Sequence, residues 1–73
     1  MHGVIERCLA QTAGLFSDQL QPVRILQSVL GVTQTGIVDD VTLLYAEAMA
    51  VEYSEVDVVM RYRRAVVEWT GLP

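Results

Sequence analysis

Apolar and polar residues alternate with an α-helical period in four stretches of this chain, set apart by glycines, prolines and capping residues. The first runs from Val4 to Gln11 or Ala13, with Val4, Ile5, Cys8 and Leu9 on one stripe and Glu6, Arg7 and Gln11 outside it. Gly14 ends it, Leu15 and Phe16 make an apolar corner, and Ser17-Asp18 caps a short turn or opens the next helix. In the second stretch Pro22 fits the first turn, where its missing N–H costs nothing, and Val23, Leu26, Val29 and Leu30 continue the stripe. Gly31 is placed as a C-cap, because a left-handed residue there costs little only for glycine, and Val32 folds back onto the last turn. Gly36 serves the turn that follows.

The third helix starts at Asp39 or Asp40, where a carboxylate accepts backbone N–H groups and opposes the positive end of the helix dipole. Its predicted inner face is Val41, Leu44, Tyr45, Ala48 and Met49. Asp39-Asp40 also has the composition of a carboxylate pair for acid–base or metal chemistry, but neighbours at a helix start point in different directions, so capping is the expectation. The fourth helix begins near Ser54, where Ser54-Glu55-Val56-Asp57 resembles a capping box, and reaches Glu68 or Trp69 before Gly71 and Pro73 stop it. Val56, Val59, Met60, Arg63, Val66 and Val67 mark its inner run, with Tyr62 and Trp69 widening the apolar surface to the side. The β-branched residues from Val56 to Met60 also suit a strand, yet the run continues through Arg61-Tyr62-Arg63-Arg64-Ala65 with a serine cap before it. The expected fold is all-α, a small three- to four-helix bundle forming one domain over residues 1–73, with residues 1–20 partly mobile.

Composition narrows the function. A chain of 73 residues supports a single core, and one this short buries only about 60% of the surface its unfolded form exposes. Apolar residues are 52% of the sequence, enough for a packed domain and for a partner surface. Nine acidic residues against five arginines, with no lysine, give a net charge of -4. That sign opposes counterion-releasing nucleic-acid binding and suits docking on basic protein surfaces. Phe16, Tyr45, Tyr53, Tyr62 and Trp69 are scattered over the segments and do not form a base-stacking platform. A single Cys8 and a single His2 leave no internal disulfide and no structural zinc site, so no metal or cofactor is expected and Cys8 is assigned to the inner face of the first helix. The N-terminus has no basic region followed by an apolar run, and no window approaches the roughly 20 apolar residues of a membrane span, so a reducing, cytoplasmic setting is expected. Met1 predicts a complete small gene product.

Leu26-Gln27, Leu30-Gly31-Val32, Gly36 and Thr42 together resemble the core of peptidoglycan-binding domains, which are small three-helix modules. Thr35 stands where an aspartate commonly precedes the glycine, and Asp39 where a second glycine is common. This resemblance implies a helical scaffold and cell-wall binding. Taken whole, the chain also resembles small bacteriophage-encoded regulators that bind host bacterial RNA polymerase. That likeness implies a non-enzymatic protein of the host cytoplasm which occupies polymerase surface, inhibits initiation and promotes antitermination. A partner-dependent subunit of an enzyme is the third class carried forward.

Two candidate contact surfaces follow. Val4, Ile5, Glu6 and Arg7 form an N-terminal apolar and charged edge able to order against a partner, the alternative being a first helix packed on its own core. Arg61 and Arg64, three apart on one face, combine with Tyr62 and Trp69 to grip acidic protein surface or to touch phosphates of exiting RNA. Their alternative is a solvated face balanced by Asp57 and Glu68, four residues either side. Arg24 is a lone charge without an assigned role.

Overall fold

In the computed structural model, which describes residues 3–71, the chain forms α1 (Val4–Ala10), α2 (Leu20–Leu30), α3 (Asp40–Glu52) and α4 (Glu55–Thr70), with no strand among the described residues. The architecture is a small helical bundle. His2 and Pro73, which entered the reasoning on metal ligands and on the last helix stop, lie outside the described residues.

The local signals that bound α2, α3 and α4 act where the sequence puts them, whereas α1 ends at Ala10, short of the expected Gln11 or Ala13 and well before Gly14. Asp18 Oδ1 accepts the amides of Leu20 and Gln21 at 3.0 and 3.4 Å, which opens α2 two residues ahead of Pro22. Gly31 closes it at φ 77°, and the Val32 amide reaches back to the carbonyl of Gln27 at 3.1 Å. Asp39 is the N-cap of α3, accepting the Thr42 amide at 2.9 Å. Ser54 Oγ accepts the Asp57 amide at 3.1 Å to open α4, and the helix runs to Thr70, just past the expected Glu68 or Trp69, before Gly71 caps it at φ 73°. The α1 helix stops at Ala10, and a looser turn carries the chain from Gln11 to Leu15.

Packing centres on α4, which contacts all three other helices. Tyr62, Val58, Val59 and Val66 meet Ile25, Leu26 and Leu30 of α2, Val4, Ile5 and Cys8 of α1, and Ala46 of α3. The inner run of α4 therefore differs from the predicted one. Val56 and Met60 are more than half exposed, Val67 and Arg63 are exposed too, and Tyr62 sits fully buried at the centre of the core and not at its side. The 58-59-62-66 stripe prevails because it satisfies the same helical spacing while placing the Tyr62 ring among residues of the other three helices. Tyr62 also finds a polar partner there, its hydroxyl lying 2.9 Å from Thr12 Oγ1. Thr12 spends its own hydrogen on the carbonyl of Leu9 at 3.1 Å, so the tyrosine is the donor.

The larger correction concerns α3. Val41, Leu44 and Tyr45 were expected inside, yet they are 51%, 64% and 49% exposed, and Ala48 is exposed as well. Of the predicted face only Met49 packs on the core, and the fully buried residues are Thr42 and Ala46. The helix is turned by one position, about 100°, from the face its apolar residues suggest.

Candidate functional site

The turn of α3 is set by a knot of polar side chains. Gln27 of α2 is wholly buried. Its amide nitrogen donates to Ile37 O and Thr42 Oγ1, both at 2.9 Å, with Thr35 Oγ1 at 3.1 Å, and its Oε1 accepts the Gly36 amide at 2.9 Å. Thr42 passes its own hydrogen to Asp39 Oδ1 at 2.8 Å. These two bonds from Thr42 to one carboxylate oxygen hold the Asp39 carboxyl below the usual carboxylate range. Thr35 Oγ1 braces the turn as an acceptor for the Ile37 amide at 3.2 Å, and Asp39 is a cap. Leu26, Leu30 and Gly36 are buried, Gln27 and Thr42 have no exposed surface to offer a ligand, and Gly31 is exposed as the C-cap of α2.

Because Thr42 is pinned inward, the bulk of α3's apolar surface faces outward. One part of it forms a wall of an open groove of about 660 Å³ between α1 and α3. Val4 and Ile5 reach it from α1, Val38 from the preceding loop, and Leu43, Ala46 and Val51 from α3. Leu43, Glu47 and Val51 succeed one another at intervals of four, so they form one line along the helix. Val51 is 88% exposed, the most exposed large apolar residue among the described residues. Among the described residues the charged ones lining the groove are Glu6, Glu47 and Glu55, with no basic residue beside them. The sign has a sequence origin: from residue 25 to residue 60 there are six acidic residues and no arginine, lysine or histidine.

The residues proposed from sequence divide between this groove and α4. Val4 and Ile5 are core residues, 4% and 8% exposed, so α1 is packed on the bundle, and what they still expose lies in the groove beside Glu6. Arg7 does not line the groove but forms an ion pair with Glu55, which does, tying α1 to the start of α4. Arg61 pairs with Asp57 at 3.2 Å and lies 4.3 Å from the centre of the Tyr53 ring, which makes it part of a local solvated cluster. Arg64 is exposed and Trp69 is 42% exposed, both on α4 and neither in the groove. Sequence reasoning missed the groove's second wall, Leu43, Glu47 and Val51. The signal available for it was the run of apolar residues around every side of α3 combined with its lack of basic residues.

Cys8 is fully buried, and burial pushes its thiol up to about 12, which keeps it protonated and unreactive at neutral pH. Burial likewise raises the Tyr62 phenol. Among the described residues no three His, Cys, Asp or Glu side chains converge as metal ligands, and no helix is long and apolar enough to cross a membrane. Comparison with protein-family models, with curated proteins and with solved structures finds no match to this chain.

Proposed function

We propose that this protein is a non-catalytic regulator that binds bacterial RNA polymerase, acting in the bacterial cytoplasm to inhibit initiation and promote antitermination by occupying polymerase surface. The observation that carries a binding role is α3: a helix apolar on every side buries only Thr42 and Ala46 fully and leaves Val41, Leu43, Leu44, Tyr45 and Val51 exposed. Helices of that composition are normally covered by protein on more than one face. The choice of polymerase as the partner rests on the whole-chain resemblance to bacteriophage-encoded polymerase regulators. Acidic net charge is consistent with it, since surfaces near a nucleic-acid channel are commonly basic.

The test is co-elution of the purified protein with purified bacterial RNA polymerase, followed by transcription from a promoter template carrying an intrinsic terminator. Reduced initiation and increased read-through in proportion to bound protein support the proposal. Absence of co-elution overturns it. The peptidoglycan-binding reading draws on the helix–turn–helix scaffold around Gln27, so sedimentation with insoluble peptidoglycan is run in parallel. Sedimentation without polymerase binding would put that reading first.

A further inference from the structure

We propose that the groove between α1 and α3 is a docking site for a basic amphipathic helix of a partner protein, its apolar face on Leu43 and Val51 and a lysine or arginine against Glu47. The inference deepens the proposed binding role and rests on it, but it does not depend on the partner being polymerase.

Shape and chemistry select this occupant. The line Leu43–Glu47–Val51 spans about 12 Å of helix, which matches two turns of a helix laid alongside. The groove's apolar walls call for one apolar face on the ligand, and the exposed carboxylate of Glu47 between Leu43 and Val51 calls for positive charge next to that face. Glu55 already holds Arg7, which leaves Glu47, exposed on α3 and without an ion pair among the described residues, as the principal anchor. A second copy of this chain is the poorer occupant, because it brings the same acidic lining and a net charge of -4 to a surface of like sign.

The test uses the full-length protein and two fluorescent fourteen-residue peptides, about four helical turns each. One is an amphipathic leucine/lysine helix and the other its leucine/glutamate counterpart, titrated by anisotropy at low and high salt. The expected result is saturable binding of the leucine/lysine peptide alone, weakened by salt and at least about tenfold weaker for both Glu47→Lys and Val51→Asp, with Arg64→Glu unchanged. A tenfold loss is what removing one apolar anchor or one interfacial ion pair gives. Both test positions are exposed, and circular dichroism confirms that the variants fold. Equal binding of the two peptides, no saturation, or affinity indifferent to both substitutions overturns the proposal. A concentration-dependent dimer that Val51→Asp dissociates overturns it in favour of a second copy. Groove-dependent peptide binding without polymerase co-elution removes the polymerase reading and leaves the groove standing. Polymerase co-elution unaffected by either substitution, with no peptide binding, does the reverse.

Discussion

Replacing Gln27 tests whether one buried amide determines which way α3 faces. In Gln27→Leu the Gly36 amide loses its acceptor, and Thr42 Oγ1 loses the donor that reaches it at 2.9 Å. Ile37 O loses its 2.9 Å bond but keeps the weaker one from Thr35 Oγ1 at 3.2 Å. A buried N–H left without a partner costs about 1–3 kcal/mol, and the lost amide bonds add about 1 kcal/mol. Burial of the leucine returns about 1–2 kcal/mol, so the expected net loss is about 1.5 kcal/mol. A domain of 73 residues has on the order of 4–11 kcal/mol in total, and about 1.5 kcal/mol corresponds to a melting temperature lowered by about 6–12 °C. Gln27→Glu adds a pH signature. A carboxylate accepts the Gly36 amide but has no hydrogen for Ile37 O or Thr42, so the folded state favours the protonated acid and raises its pKa above the unfolded value. The variant's stability relative to wild type is then highest below about pH 4.3 and falls by about 1.4 kcal/mol per pH unit up to the folded pKa. Urea titrations followed by helical circular dichroism at about pH 4 and pH 7 measure both effects. A Gln27→Leu protein as stable as wild type, or a Gln27→Glu deficit identical at the two pH values, would refute the assignment.

Other positions give independent checks. Tyr62→Phe is expected to cost about 1 kcal/mol because it removes only the bond to Thr12, whereas Thr12→Val strands the buried phenol and should cost more, about 1–3 kcal/mol; equal or reversed losses in urea titration would contradict the donor assignment. Ser54 holds φ 138°, a region that L-residues rarely adopt, while its hydroxyl caps α4. Glycine relieves strain of about 1–3 kcal/mol and gives up only a few tenths as a cap, so Ser54→Gly should raise the melting temperature and Ser54→Ala should lower it. Asp39 has a depressed pKa, so its contribution is present above the unfolded value near 3.9 and lost as pH falls through the folded one; Asp39→Asn should flatten the acid limb of the stability–pH curve, and an unchanged limb would show that the Thr42 bonds do not hold the carboxylate.

The sequence by itself determined where the helices are. Their ends rest on contacts between residues two to four apart, such as Asp18 with Leu20, Asp39 with Thr42, Ser54 with Asp57 and Gly31 after Ser28, and contacts of that range are written into the local order of residues. It put Val4, Ile5 and Cys8 on one stripe of α1 but left open whether that stripe met a partner or the chain's own core, and the packed structure decided for the core. Which side of α3 and α4 is buried was decided by tertiary structure. In α3 several stripes satisfy the helical period equally, so periodicity has no preferred phase, and the choice falls to Gln27, fifteen residues away in sequence, reaching Thr42. In α4 the choice falls to Tyr62, whose hydroxyl finds Thr12 across fifty residues. The groove follows from the first of these choices: Val4, Ile5 and Glu6 were legible as one wall, but Leu43, Glu47 and Val51 become the other only after a buried polar bond has turned their helix outward.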